Sequence, residues 1–353
     1  MSHDTPGALF REEIASQGQT WAEIIPLVTR QATAIKELFA RVDEVIFSGC
    51  GSGFNAALYA ASILQMQTGV SARAVAAAEI YLFPQGVLVN QRKTLAVLIS
   101  RSGKTTEVVR ALDYLQRHGI RTIGITCTAD SPLAQGCDLA LVLTPALDQA
   151  VATTRSFTGM TLAAQLLAAV VADDEANLHA LHRLPDICQA QIEHYHDLGK
   201  ALGQRTDLTR YACVGNGPFF GLAREAQLKI KETALLPADA YPMLEFRHGP
   251  QSTVDGQTLV IAFLSDRARQ EEVRFVRDMK ALGGVIWTLC DHADEELRLH
   301  ADYMLELNSD LPELVRGLLY MPAVQYMAYY RSLAQGLNPD QPRNLSYWVD
   351  TSR

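Results

Sequence analysis

The sequence has no Cys-x-x-Cys pair and no Cys/His group at metal-ligand spacing, although six cysteines stand at positions 50, 127, 137, 188, 213 and 290. That excludes a structural zinc fold and a disulfide framework. Most of these thiols lie in apolar runs such as Ala212-Cys213-Val214, where cysteine packs as a small hydrophobe. No apolar run approaches the roughly 20 residues needed to span a bilayer; the longest is Leu162–Val171. The opening MSHDTPGALFREE lacks the basic-then-apolar order of a leader, so the expectation is a soluble protein of the reducing cytoplasm, with no membrane contact. Basic residues are in deficit, 31 Lys and Arg against 39 Asp and Glu, for a net charge of -8. This balance argues against nucleic acid as a partner but leaves room for one local anion pocket. With 48% hydrophobic residues and ordinary glycine and proline usage, global disorder and collagen-like folds are excluded too.

A chain of 353 residues is long enough for two domains. Residues 12–39 show helical apolar spacing, with a break expected near Pro26. Short apolar runs then alternate with helical ones. Strands are predicted at 44–48, 73–77, 95–100, 121–126 and 139–143, and helices at 54–66, 105–117 and 157–172. Near-continuous apolar strands of this kind form parallel sheets covered on both faces. The pattern repeats. FSGCGSGFNAALYAA around Gly49 matches CVGNGPFFGLAREAQ around Gly215 at an offset of 166 residues. TLAVLIS at Thr94 matches TLVIAFLS at Thr258, and CDLALVLTP at Cys137 matches ADYMLELNS at Ala301, both at 164. The fold class is therefore α/β, two duplicated doubly wound parallel-sheet units. The expected organisation is an N-terminal helical segment (1–40), a first unit (41–175), a polar helical linker, a second unit (195–335) and an extended tail (336–353).

In such sheets ligands gather at the carboxyl ends of strands, beside helix N-termini. Gly49-Cys50-Gly51-Ser52-Gly53 joins a strand to a helix, and its glycines allow main-chain N–H groups close to an anion. A dinucleotide is disfavoured, because the third glycine is missing and the next strand ends in alanines rather than a ribose-binding acid. Ser100-Arg101-Ser102-Gly103-Lys104-Thr105 forms a second junction, whose hydroxyls suit a phosphomonoester; ordinary helix capping is the plainer alternative. ATP does not fit, since the upstream glycine of a P-loop is replaced by mid-strand Leu98. A third hydroxyl cluster, Thr153 to Thr158, reads by itself as helix capping. The second unit carries acid–base groups instead. Glu225, Lys229 and Glu232 share a helix face, for which a solvated, salt-bridged surface is the plainer alternative, and His248 precedes Gly-Pro on a turn.

These motifs together (GCGSG, SRSGKTTE, VATTRSFT, EAQLKIKE, EFRHGP and NPDQPRNL) resemble the tandem SIS (sugar isomerase) domain family, over about residues 12–345. The similarity extends to the isomerase part of glutamine–fructose-6-phosphate transaminase, to amino-sugar-phosphate isomerase/deaminases and to fructosamine-6-phosphate deglycases. The resemblance implies flavodoxin-like units, no cofactor and no metal. It places phosphate on Ser52, Gly53, Ser100, Arg101, Ser102 and Thr105, and sugar near Val151 and Thr153. Arg101 stands where glutamine is common, and its charge is expected to favour phosphate. The resemblance makes Glu232 the proton-shuttling base, with Lys229 and Glu225 one and two turns before it. His248 becomes the ring-opening group, shared across a homodimer. Tyr347 falls where the transaminase has a sugar-site lysine, so a lysine Schiff base is not expected. No glutaminase domain is seen, which disfavours glutamine as the amine source. The implied function is aldose–ketose isomerisation of an amine-bearing hexose 6-phosphate coupled to amine loss. Alternatives are deglycation of fructosamine 6-phosphate and non-catalytic phosphosugar sensing.

Overall fold

The computed structural model of the chain describes residues 5–88 and 93–349. Its strands form two five-stranded, all-parallel sheets. The first comprises β1 (Glu44–Gly49), β2 (Ser71–Ala76), β3 (Thr94–Ile99), β4 (Arg121–Thr126) and β5 (Leu139–Val142), in the order β2-β1-β3-β4-β5. The second comprises β6 (Arg210–Gly215), β7 (Ala238–Tyr241), β8 (Thr258–Phe263), β9 (Val285–Cys290) and β10 (Tyr303–Glu306), in the order β10-β9-β8-β6-β7. Read from its other edge, the second order is the first with each strand replaced by its counterpart. Both sheets thus have the flavodoxin-like doubly wound topology, the fold class expected from the duplication. The central strands β3 and β8 are buried at every residue, which is why they read as unbroken apolar runs rather than alternating ones.

The chain forms two compact units. One contains Ser16–Gln189 and the segment from Ser346 onward; the other contains Ala190–Leu345 and the N-terminal residues up to Ala15. The helix Ala8–Ala15 accordingly belongs with the second sheet, while Gln17–Thr29 and Ala32–Phe39 belong with the first. The break expected near Pro26 falls at Arg30 and Gln31, between the helices Gln17–Thr29 and Ala32–Phe39, and not at the proline itself. The helix Gln17–Thr29 runs through it and ends at Arg30. A proline in the last turn removes only one intrahelical bond, and packing of Trp21, Ile24, Ile25 and Val28 holds the helix in place. The helix Arg155–Val171 is buried along nearly its whole length, because it packs against both Gln17–Thr29 and Ser52–Thr68. Among the described residues no helix is long and apolar enough to cross a membrane.

The NPDQPRNL motif has a structural task within the second unit. Asp340 accepts from the main-chain N–H groups of Phe10 (2.8 Å) and Leu9 (3.3 Å), and Asn338 accepts from that of Gly7 (2.9 Å). These are orphan donors at the start of the helix Ala8–Ala15, and the buried Asp340 carboxylate caps them. Asp340→Ala is expected to lower stability by about 1 kcal/mol, the ordinary worth of a cap. Urea unfolding checks this, and an unchanged midpoint would show that the cap is dispensable.

Candidate functional site

In the first unit, β1 and β3 are paired in register from Glu44–Thr94 to Gly49–Ile99, and the chain continues from them to opposite sides of the sheet. Their carboxyl ends are the topological switch point, where an open α/β sheet leaves a crevice. The glycine turn follows β1. A Cβ on Gly53 would stand 2.6 Å from the Ile99 carbonyl oxygen, so the helix Ser52–Thr68 starts this close to β3 only because residue 53 lacks a side chain. Cys50 in this turn is no nucleophile. Burial, with the charge of Glu107, pushes its thiol up to about 11.

The loop after β3 turns back on itself. Ser100 Oγ lies 3.1 Å from Thr105 Oγ1 and accepts from the Gly103 N–H at 3.2 Å. Ser102 Oγ accepts from the Lys104 N–H at 3.2 Å, which leaves its own proton to donate. Thr105 occupies the N-cap position of the helix Thr106–Arg117 without making a capping bond. Ser52 Oγ, from the glycine turn, is 2.8 Å from Thr153 Oγ1. Among the described residues no protein acceptor meets the main-chain N–H groups of Arg101 and Ser102. Hydroxyls and amides thus follow the paired carboxyl ends of β1 and β3.

Asp148, which the sequence reading missed, organises the neighbouring turn. Its buried carboxylate accepts from the N–H and Oγ1 of Thr154, both at 2.9 Å, and from the N–H and hydroxyl of Ser156. It therefore caps the helix Arg155–Val171 and accounts for two hydroxyls of the Thr153–Thr158 cluster, while Val151 and Thr153 stay half-buried in the turn before it. No usual capping spacing joins Asp148 to Thr154, so local patterns could not reveal it.

Two residues depart from their expected use. The guanidinium of Arg101 does not reach toward its own loop amides. It donates to the carbonyls of Ala150 (3.0 Å) and Tyr347 (2.7 Å), stands 4.0 Å from Asp148, and lies 3.9 Å over the Tyr347 ring. Tyr347 in turn donates its hydroxyl to the Asp148 carbonyl. A buried guanidinium with these partners acts as a clamp on the tail, and the sequence could not show it because the contact spans 246 residues. Thr106 completes the clamp, donating its N–H to the Val349 carbonyl at 3.3 Å.

In the second unit the acid–base residues meet as the helix spacing implied, with one change. The α-helix stops at Lys229 and the chain continues as a π turn, Ile230–Ala234. Such wide turns recur at functional sites. Lys229 Nζ donates to Glu232 Oε2 at 2.5 Å and lies 3.4 Å from Glu225 Oε1. The side chains of Lys229 and Glu225 are fully buried, whereas that of Glu232 is 20% exposed. The lysine therefore fixes one oxygen of Glu232, and the other has no partner among the described residues. His248 follows the 3-10 turn Glu245–Arg247 and precedes Gly249 at φ +120°. Its exposed ring makes no hydrogen bond, ion pair or ring contact among the described residues.

The counterpart of the hydroxyl loop is already filled. After β8, Glu272 accepts from the N–H of Ser265 (2.6 Å), its hydroxyl (3.2 Å) and Asn216 Nδ2 (2.9 Å). Glu313 accepts from the N–H groups of Asp266 and Arg267. At the offset of 164 residues, Ser265 and Asp266 correspond to Arg101 and Ser102. Where one unit supplies its own carboxylates, the other leaves the same amides open.

A sequence pattern described as the SIS domain matches residues 38–170 and 210–334. The chain belongs to the SIS domain family. Among SIS relatives, the glutamine–fructose-6-phosphate aminotransferase (isomerizing) of Caldanaerobacter subterraneus is 26% identical over 358 residues, covering 98% of this chain and 57% of the relative. The chain thus spans little more than half the length of that relative. A crystal structure of glucosamine-6-phosphate deaminase from Thermotoga maritima is 28% identical, covers 92% of this chain and 99% of that one, and gives a TM-score of 0.74. One of tagatose-6-phosphate ketose/aldose isomerase from Escherichia coli, at 23% identity and covering 95% and 96%, shares the fold with a TM-score of 0.84.

Arg101→Ala is expected to release the tail from the first unit. Limited proteolysis should then cut near Trp348 at least roughly tenfold faster, the equivalent of losing about one charged hydrogen bond. Unchanged cleavage would mean that the clamp holds nothing.

Proposed function

We propose that this phosphosugar-isomerase-type SIS protein acts on an amine-bearing hexose 6-phosphate, isomerising it between aldose and ketose forms with release of ammonia. The observation that carries the reading is the open set of amides at Arg101 and Ser102, against the carboxylate-filled counterpart at Ser265 and Asp266. A strand end built to hold anions, with none supplied internally, suits a dianionic ester. Ser100, Ser102, Thr105 and Ser52 add hydroxyl donors, and Gly53 keeps the backbone close. Val151 and Thr153 border the sugar. The overall acidity of the chain favours no polyanion, so a small phosphate ester is the fitting partner.

The chemistry falls to the second unit. His248 takes a proton from the anomeric hydroxyl while the ring oxygen gains one, so the C1–O5 bond opens to an aldehyde. The free oxygen of Glu232 then removes the C2 proton as the C1 carbonyl oxygen gains one, giving a C1–C2 enaminol, and the same carboxylate returns its proton to C1 while the C2 amine gives one up. With an amine on C2 the product is a C2 imine, which water hydrolyses to the ketone and ammonia. Lys229 and Glu225 hold Glu232 in place. No step uses a lysine Schiff base, since Tyr347 occupies the tail position and is engaged with Asp148. The exposed, unpartnered ring of His248 favours action on a second copy of the chain in a homodimer.

A thermal-shift panel of hexose 6-phosphates, glucosamine 6-phosphate, fructosamine 6-phosphate and the unphosphorylated sugars tests the ligand class, with ammonia release measured on the hits. Stabilisation by phosphorylated sugars alone, abolished in Ser102→Ala, is the expected result; no stabilisation by any of them would sink the reading. Binding without turnover would mark a sensor, and turnover of fructosamine 6-phosphate alone a deglycase. Glu232→Gln should lose about 10²–10⁴-fold in turnover while keeping the thermal shift. Mixing the impaired His248→Ala and Glu232→Gln chains after unfolding and refolding together should raise activity above that of either alone, and its failure to rise would place both groups in one subunit.

A further inference from the structure

The helix Arg269–Ala281 carries Glu272, Phe275 and Asp278 at intervals of three, along one face. Each holds part of the segment that leads to His248. Glu272 Oε1 accepts from Asn216 Nδ2 at 2.9 Å, and Asn216 Oδ1 accepts from the Met243 N–H at 3.1 Å. A main-chain N–H only donates, so the Asn216 amide has a single sensible orientation and the bonds run in one sense from Met243 to Glu272. Phe275 packs edge-on against Phe246 with centroids 6.0 Å apart, and Asp278 accepts from Arg247 at 3.0 Å. Met243 and Phe246 are buried, whereas His248, two residues beyond Phe246, is exposed, and its ring makes no hydrogen bond, ion pair or ring contact among the described residues. The imidazole is therefore placed by the main chain beneath it.

Phe275 and Asp278 are ordinary loop packing. Glu272 is different: a carboxylate taken wholly out of water is expensive, and an apolar residue would cover the loop at lower cost. Burial indeed pushes its carboxyl up, against three opposing donors. What the carboxylate alone can do is join two segments, the turn after β8 and the turn after β6, and through Asn216 fix the start of the His248 loop. We infer that Glu272, acting through Asn216, is a positioning residue for His248. The inference rests on the ring-opening role given to His248 above.

Hydrogen exchange on the free protein separates anchoring of the loop from the role of His248 in turnover. Glu272→Gln replaces an acceptor by a donor facing other donors, and Asn216→Ala removes the link without touching the helix; the second variant serves if the first does not fold. Either should speed exchange of the Met243, Phe246 and His248 amides roughly tenfold. Unchanged exchange there overturns the inference whatever the activity. On the phosphosugar that the panel identifies, kcat should fall roughly tenfold with KM unchanged, and this loss should vanish in a His248→Ala background, because a positioning effect needs the group it positions. A loss that persists undiminished without His248 also overturns it. If His248→Ala alone leaves turnover intact while the loop still loosens, the ring-opening assignment fails and the anchoring of the loop stands.

Discussion

Parallel strands that feed helices end in main-chain N–H groups with no partner of their own, and every such group removed from water needs an acceptor. The second unit meets the requirement internally. Glu272 and Glu313 take the amides of Ser265, Asp266 and Arg267, and the junction is closed. The first unit does not: among the described residues the amides of Arg101 and Ser102 meet no protein acceptor, and their loop carries the hydroxyls of Ser100, Ser102 and Thr105. One topology used twice has thus been put to two uses, set by which side of the hydrogen bond the protein itself supplies.

The same division governs the charges. Lys229 is fully buried between two carboxylates, an arrangement whose desolvation is offset only by good geometry and that adds little stability for its cost. Such an arrangement orients Glu232, which lies in the π turn and whose second oxygen has no partner among the described residues. In the first unit the buried cation Arg101 is paired with carbonyls, Asp148 and an aromatic face, and holds the tail. Both are buried cations, and neither could be assigned its role from charge alone.

Much of this was legible in the chain. The duplication appears in three collinear matches, the strands in apolar runs such as Thr94–Ile99, and the Glu225–Lys229–Glu232 face in helical spacing. Legibility failed where a contact joins distant segments or where packing overrides propensity. Pro26 lies inside a helix because buried Trp21, Ile24 and Ile25 outweigh one lost bond. The guanidinium of Arg101 reads as a phosphate ligand until Tyr347 is seen beneath it, leaving that part to the Arg101 main-chain amide, and Asp148 caps a helix from a position that no local rule marks.

By itself the sequence determined the repeated parallel-sheet architecture, the glycines that bring the helix Ser52–Thr68 onto β3, and the residue types able to bind an anion or move a proton. These follow from periodicity, steric size and functional groups, which are properties of neighbouring residues. Only the tertiary structure decided which strand-end amides are already occupied, which of Arg101 and Lys229 clamps a tail and which a carboxylate, and that Glu272 lies beneath the loop of His248. Those outcomes depend on which groups compete for the same donor in space, and hydrogen-bond competition is settled by folding rather than by order along the chain.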